Sequence, residues 1–291
     1  MKSLYASVAG VTLLLAAQLA AAAAPNSVVE AVQMPAWVER GGTSVPLAPG
    51  MELRDSDRLR TGANAKLLLK MREGSHVRLG ENGTLLLERM AEDKDRVFAA
   101  VMNVFKGAFR FTTDALRAQR RRNIHITIAT VTAGIRGTDL WGKAASDKDI
   151  VCLIEGKIEV QRGQEQPFKM DQPLSFYIAP RGAPALPVAP VDPKQLEIWS
   201  AETQIAPGAG AASRGGKWKV IAASVDTQAE ALKLYDALRA AGYAAQIRPL
   251  TRAGKLVYDV RLAQLPSKAE AEALAASIRG KMGVAAPRVS M

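Results

Sequence analysis

The sequence predicts a multidomain chain, with an all-β domain of short antiparallel strands followed by a smaller α+β domain. Three observations lead to this prediction. Glycine-containing turn signals recur at short intervals between residues 35 and 180. Residues 217–291 contain an internal repeat with an offset of forty, and each copy joins an apolar strand to an amphipathic helix. A segment rich in Pro, Ala and Gly, residues 181–215, separates the two regions.

The first 24 residues have the pattern of a secretory signal peptide. A short basic start, Met1-Lys2, precedes an apolar stretch that ends in an alanine run at Ala24. We therefore expect an exported, periplasmic protein, with an uncleaved N-terminal anchor as the competing interpretation. No other segment approaches ~20 continuous apolar residues, so we expect no stable transmembrane span after cleavage.

Residues 25–180 form the predicted β domain. Short apolar or alternating runs lie between the turn signals, the clearest at 67–69, 85–87, 109–111, 124–128 and 158–160. This spacing is typical of a sandwich, a barrel or a coiled β stack. Only residues 91–118 leave room for a short helix. Cys152, the single cysteine, lies in an apolar run and is expected to be a buried thiol.

Residues 181–215 form the predicted linker. Five prolines between Pro180 and Pro193 make its first half stiff and extended. Leu196–Trp199 is interpreted as a short helical or docking segment. Residues 206–216 are rich in Gly and Ala, which predicts a flexible tether that lets the last domain search for its target.

The last domain, residues 216–291, has the order βαββαβ, which predicts a ferredoxin-like four-stranded antiparallel sheet with both helices on one face. Its predicted helices begin at two capping boxes, Thr227 with Glu230 and Ser267 with Glu270. The predicted elements are strand 218–224, helix 227–241, strand 243–250, strand 255–263, helix 267–281 and strand 284–290.

Strand alternation predicts which side chains of this sheet face the helices and which face outward. Val220, Ala222, Val260 and Leu262 are expected to face the helices, together with Tyr258. The open face is expected to carry Lys219, Ile221, Gln246, Arg248, Val257, Asp259 and Arg261. Ser224, near the end of the first strand, is added to the candidate binding residues of this face. Sheets of this kind also bind RNA through paired aromatic residues. The third strand has one aromatic residue, which points inward, and the chain is exported, so we expect no nucleic-acid partner.

Charge and residue types favour a binding protein over an enzyme. The chain has 39 Lys and Arg against 28 Asp and Glu, a formal net charge of +11. Residues 216–291 hold 12 of the basic and 6 of the acidic residues, which favours anionic surroundings or simply a soluble surface. The two histidines, His76 and His125, lie in separate predicted strands. We find no metal-ligand spacing, no nucleophile–base pair and no phosphate-binding loop, so we expect no catalytic residues, metal or cofactor.

The β domain resembles the FecR-type domain. The resemblance covers residues 35–180, including Trp37–Gly42, Leu59–Gly62 and Gly107–Arg110. Its most specific part is Arg136-Gly-Thr-Asp139, which we interpret as a structural turn held by an Arg136–Asp139 ion pair. FecR proteins regulate a sigma factor through a cytosolic N-terminal segment. Only a signal-like stretch precedes the domain here, so the resemblance implies a partner-binding scaffold.

The last domain resembles the SPOR (sporulation-related repeat) domain. Trp218–Ser224 is similar to the first strand of that family, and Tyr258–Leu265 is similar to the third. SPOR domains bind peptidoglycan, notably glycan strands stripped of peptide stems at division septa, and the open sheet face would supply this site. Ile221 stands where Gln is common, and Asp259 stands where a basic residue often occurs. Both departures are expected to weaken the site.

Two hypotheses of function follow. In the first, the chain is an exported, non-enzymatic peptidoglycan-binding protein, active at the cell envelope and enriched at the septum. Its SPOR domain binds wall glycan strands, and its FecR-like domain binds an envelope protein partner. In the second, the chain is a periplasmic signalling or scaffold protein whose SPOR domain is a protein–protein module.

Overall fold

The structure, a computed structural model, describes residues 25–92, 97–113, 122–135 and 137–291. It is rich in β-strand, with three helices in the described ranges. No helix within these ranges has the length and apolar character needed to cross a bilayer. The strands of the N-terminal region are β1 (Ser27–Gln33), β2 (Ala36–Arg40), β3 (Thr43–Pro46), β4 (Glu52–Leu53), β5 (Asp57–Thr61), β6 (Lys66–Met71), β7 (His76–Leu79), β8 (Thr84–Glu92), β9 (Phe98–Thr112), β10 (Arg122–Ile128), β11 (Val131–Ile135), β12 (Asp139–Ala144), β13 (Lys148–Glu155), β14 (Ile158–Arg162), β15 (Phe168–Met170) and β16 (Ser175–Pro180).

The long strand β9 joins two sheets of the N-terminal region. Its first half pairs with β8 and β10 in sheet B, which runs β3-β2-β5-β8-β9-β10-β11-β14-β15. Its second half pairs with β7 and β12 in sheet A, which continues through β6 and β1 on one side and through β13 and β16 on the other. Gly107, with a φ of +88°, lies where the strand passes from one sheet to the other. Side chains from both sheets form one apolar core.

Two details of β9 differ from the sequence-based expectation. The strand covers Phe98–Thr112, most of the segment for which a short helix was left open. Its pairing with β10 is parallel, whereas the domain was expected to be antiparallel. A parallel neighbour needs a longer connection than a hairpin, and the chain between Thr112 and Arg122 provides one.

The segment predicted to be a linker is attached to the β domain along much of its length. Helix α1 (Pro193–Thr203) begins at Asp192, whose carboxylate accepts bonds from the Lys194 and Gln195 backbone amides. The Trp199 indole stacks on Trp141 of β12, with ring centroids 4.7 Å apart and planes 8° apart. The helical interpretation of Leu196–Trp199 is therefore confirmed. Before α1, strand β17 (Ala189–Pro190) pairs with β16.

The flexible tether predicted for residues 206–216 is wrong. Strand β18 (Ala211–Ser213) extends sheet A by pairing with β1, and Ala211 and Ala212 are buried. A side chain added at Gly210 would lie 3.0 Å from the Leu274 backbone nitrogen, and one at Gly216 would lie 2.3 Å from the Gln264 carbonyl oxygen. The small residues that suggested flexibility allow close backbone packing instead.

The C-terminal region contains β19 (Trp218–Val225), α2 (Gln228–Ala240), β20 (Gln246–Arg252), β21 (Lys255–Leu265), α3 (Lys268–Ile278) and β22 (Arg288–Ser290). The four strands form one antiparallel sheet in the order β20-β21-β19-β22. Val220, Ala222, Val260 and Leu262 are buried in the core with the apolar residues of α2 and α3. The helix α3 ends earlier than predicted, and Gly280, with a φ of +72°, follows its last turn.

The two predicted capping boxes behave differently. Thr227 and Glu230 form the complete reciprocal pair at the start of α2. At the start of α3, Ser267 accepts from the Glu270 amide, but the Glu270 carboxylate turns toward the preceding segment. It accepts bonds from the backbone amides of Gly208 at 2.6 Å, Gly210 at 2.6 Å and Ala211 at 2.8 Å. Glu270 therefore joins the C-terminal region to the linker.

Candidate functional site

A β-bulge in β19 determines which side chains reach the open face of the C-terminal sheet. Ile221 pairs with Arg261, but the register then shifts, so that Ser224 pairs with Asp259. The extra residue moves Ser224 onto the same face as Ile221, although strict alternation would place it on the helix side. Residues directly opposite on neighbouring strands share a face, so this pairing assembles the candidate site.

The open face carries two cross-strand rows that contain most of the predicted site residues. In the first row, Arg288, Ile221, Arg261 and Gln246 follow one another across β22, β19, β21 and β20. In the second, Ser224, Asp259 and Arg248 cross β19, β21 and β20. Ile221 and Asp259 are only 7% and 6% exposed. The ends of the rows, on β20 and β22, are exposed.

A hydrogen-bonded network surrounds Asp259 at the centre of the face. Ser224 Oγ donates to Asp259 Oδ1 at 2.5 Å, and Arg252 Nη2 donates to Asp259 Oδ2 at 2.9 Å. Ser224 Oγ also accepts from Arg252 Nη1 at 3.0 Å and from Arg288 Nη2 at 2.7 Å. Both oxygens of the carboxylate are therefore engaged by the protein. The Ser224–Asp259 pair therefore positions two arginines on the face, and the carboxylate is not a free negative charge there.

The remaining predicted residues lie around this network. Arg261 Nη2 donates to Gln246 Oε1 at 3.4 Å, while its Nε is buried and has no hydrogen-bond partner in the described part of the chain. Lys219 pairs with Ser290 at the β22 side, and its Nζ donates to the Met291 carbonyl. Val257 is half-buried and pairs with Leu250. Arg248 is exposed, and no contact within the described ranges neutralises it.

Sequence reasoning missed two arginines of this face, Arg252 and Arg288. Arg252 continues the period of two from Gln246 and Arg248, but the second strand was predicted to end at residue 250, whereas β20 extends to Arg252. Arg288 required the register of β22 against Ile221, which the sequence does not reveal. With these two, the cationic side chains described on this face include Lys219, Arg248, Arg252, Arg261 and Arg288, which surround one neutralised carboxylate. Such a surface is suited to ligands that carry carboxylates or other anionic groups.

The residues considered for other chemistry lie apart. His76 lies in β7 and His125 in β10. Cys152 is fully buried in β13, and burial raises the pKa of its thiol to about 12. Across the described ranges, no three His, Cys, Asp or Glu side chains come together as a set that could hold a metal ion.

The Arg136–Asp139 turn differs from its interpretation in one respect. Asp139 forms a two-point ion pair with Arg110 of β9, with Nε–Oδ1 and Nη2–Oδ2 distances of 2.8 and 2.6 Å. The carboxylate therefore ties β12 to β9. Arg136 lies outside the described residues.

Comparison with known proteins identifies both regions. Residues 57–159 match the FecR protein family, and residues 215–287 match the SPOR domain family. No curated protein matches the chain. Two crystal structures of a Parabacteroides distasonis ATCC 8503 protein, named provisionally as an anti-sigma factor, are similar at TM-scores of 0.40. Their sequences are 13% and 12% identical to this chain. The matches cover 69% and 68% of this chain, and 97% and 96% of the two matched chains. The chain thus joins a FecR-type domain to a C-terminal SPOR domain, in that order.

Proposed function

We propose that this chain is an exported, non-enzymatic protein of the cell envelope that binds peptidoglycan glycan strands through the open face of its SPOR sheet. The observation that carries the proposal is the exposed face built from Arg248, Arg252, Arg261 and Arg288 around the Ser224–Asp259 pair. The FecR-type domain serves as the scaffold that binds an envelope protein partner.

The chemistry of stripped glycan suits this face. Removal of the stem peptides leaves a free lactyl carboxylate on every second sugar of the strand. A guanidinium binds a carboxylate through two parallel hydrogen bonds, which gives direction as well as attraction. Arg248 is exposed and unpaired among the described residues, and Arg288 lies on the opposite edge of the sheet. A strand that crosses the sheet would meet cations at both edges and the Gln246 amide beside Arg261.

The attachment between the two domains gives the proposed binding a consequence for the whole chain. The Glu270 carboxylate, strand β18 and helix α1 connect the SPOR domain to the FecR-type domain. The Ala36 amide also donates to the Gly242 carbonyl between them, at 3.1 Å. Binding of the SPOR face to a glycan strand would therefore hold the FecR-type domain in a defined orientation at the wall. This supports a scaffold role in which the SPOR domain binds the wall and the FecR-type domain presents a surface to its protein partner.

Sedimentation with purified sacculi tests the proposal. The full chain is mixed with intact sacculi and with sacculi treated with an amidase that removes stem peptides, and the pelleted fraction is measured. We expect binding to both and a larger pelleted fraction after amidase treatment, because more lactyl carboxylates are free. Failure to sediment with either preparation would refute glycan binding. The alternative, a SPOR domain that acts as a protein–protein module, would then be favoured.

A further inference from the structure

A cavity of about 420 Å³ lies on the outer face of sheet A, beside the C-terminal end of α1. Its floor includes Arg78 of β7 and Arg110 of β9, which are direct cross-strand partners. Leu68 and Ile205 supply apolar walls, and the exposed Gln204 stands at the rim. The cavity lies in the β domain and its linker, away from the SPOR sheet face.

The two arginines of this cavity have different partners. Like charges directly opposite on neighbouring strands are unfavourable, so each guanidinium needs compensation. Arg110 receives it from the two-point ion pair with Asp139. Arg78 donates one hydrogen bond, from Nη1 to Thr112 Oγ1 at 3.2 Å, and forms no ion pair within the described part of the chain. Burial is the main cause that lowers the pKa of Arg78, and the neighbouring Arg110 lowers it further, while the nearby Asp139 charge opposes both only in part.

We propose that this cavity binds a small carboxylate ligand, with the carboxylate on the Arg78 guanidinium. Arg78 makes one hydrogen bond within the described part of the chain, so further donors of its guanidinium are left for a planar carboxylate, which can accept two hydrogen bonds. The Gln204 side chain can donate a further bond from the rim. Leu68 and Ile205 offer contact to a short aliphatic group next to the carboxylate. The cavity volume admits a molecule of the size of an N-acylated amino acid, such as the C-terminal residue of a peptide.

The test titrates the full chain with N-acetyl-alanine, with N-acetyl-alaninamide and with inorganic phosphate at constant ionic strength. Binding is followed by calorimetry and by the NMR signals of the arginine Nε–H groups. We expect saturable binding of N-acetyl-alanine with a shift of the Arg78 signal, which is assigned by its loss in Arg78→Gln. The amide, which lacks the negative charge, should bind at least about tenfold more weakly. Competition by phosphate would support an oxoanion site, whereas binding of phosphate without binding of N-acetyl-alanine would overturn the carboxylate assignment.

Three variants make the test specific. Arg78→Gln should weaken binding of N-acetyl-alanine by about tenfold or more. Gln204→Ala changes an exposed side chain and keeps Arg78 in place, so this variant tests the cavity even if Arg78→Gln fails to fold. We expect Gln204→Ala to weaken the binding of N-acetyl-alanine about fivefold. Arg60→Gln, an exposed arginine paired with Glu39 elsewhere in the domain, should bind as the wild type does. Equal binding of acid and amide, or unchanged affinity in both Arg78→Gln and Gln204→Ala, would overturn the proposal.

Discussion

Ser224 and Asp259 face one another across β19 and β21, and the serine hydroxyl donates to the carboxylate at 2.5 Å. The same hydroxyl accepts from Arg252 and Arg288, so one pair of residues orients two cations on the open SPOR face. From the sequence, Asp259 was expected to weaken a glycan site. Its observed contacts give it a different role, because its charge is balanced within the protein and its oxygens hold Arg252 in place.

Arg261→Ala should reduce sedimentation with amidase-treated sacculi by about tenfold in apparent affinity. The substitution removes a guanidinium whose Nε has no hydrogen-bond partner among the described residues and whose Nη2 contact with Gln246 is a long 3.4 Å. The melting temperature should stay nearly unchanged, because little folded-state bonding is lost. Lys233→Ala is the charge-matched control, since Lys233 is exposed on α2 and away from this face. Unchanged binding by the Arg261 variant would contradict the assignment of the open face.

Asp259→Asn should lower the free energy of unfolding by about 1 kcal/mol and leave glycan binding at least as tight as in the wild type. The amide keeps the shape of the carboxylate but loses the charged hydrogen bonds to Arg252, whose side chain is 42% exposed. The face gains one net positive charge, which favours an anionic ligand. Urea denaturation and sacculus sedimentation measure the two effects. Asp226→Asn, at an exposed pair with Lys255, should change neither measurably. A clear loss of binding by the Asp259 variant would contradict the expected result and would show that holding Arg252 in place matters more for binding than the added positive charge.

Local signals in the sequence predicted the number and order of the C-terminal elements, although the last strand is Arg288–Ser290 and not 284–290. Thr227 and Glu230 are neighbours on one helical turn, so their capping box depends on nothing outside the segment. Ser267 and Glu270 have the same spacing, yet Glu270 bonds to backbone amides about 60 residues earlier in the chain. A tertiary partner of this kind leaves no mark at the helix start, and therefore the second capping box was predicted incorrectly.

In the candidate site as well, the sequence predicted the positions of some residues and not of others. Alternation placed Gln246, Arg248 and Asp259 on one face because strands β20 and β21 pair without interruption there. The bulge before Ala223 and the register of β22 decide the positions of Ser224 and Arg288, and both depend on pairing between strands. Cross-strand register follows from packing of the whole sheet, which a single sequence does not determine.

Cys152 should resist thiol reagents in the folded protein at pH 8. Burial raises the pKa of its thiol from 9.0 to about 12, so the reactive thiolate is scarce as well as inaccessible. Above pH 9 the unfolded chain releases this proton while the folded chain retains it, so the thiol's contribution to folding stability is lost between pH 9 and 12. Labelling with a chromogenic disulfide reagent, with and without guanidinium, checks the first expectation. Rapid labelling without denaturant would contradict the buried position.

Trp199→Ala should lower the free energy of unfolding by about 3 kcal/mol, because it removes a buried indole that stacks on Trp141. Phe176 also loses its edge contact with this ring, at a centroid distance of 5.7 Å. Guanidinium denaturation measures the change. Ile198→Ala is the control, since the preceding side chain is 59% exposed and should have little effect. Equal stability of the two variants would show that α1 contributes little to the fold.

Glu270→Gln should destabilise the attachment of the linker to the SPOR domain without altering the glycan face. The carboxylate accepts three backbone hydrogen bonds from Gly208, Gly210 and Ala211, and a glutamine side chain would turn an amide donor toward some of these donors. We expect the free energy of unfolding to fall by about 2 kcal/mol, in line with the loss of charged, buried hydrogen bonds. Hydrogen exchange should report faster exchange at the three amides, with sacculus sedimentation unchanged.

Glu272→Gln is the control for this prediction. Glu272 is an exposed neighbour on α3 paired with Lys268, and the free energy of unfolding of this variant is expected to stay within about 0.5 kcal/mol of the wild type. Unchanged exchange at Gly210 and Ala211 in the Glu270 variant would mean that strand pairing of β18, and not the carboxylate, holds this segment in place.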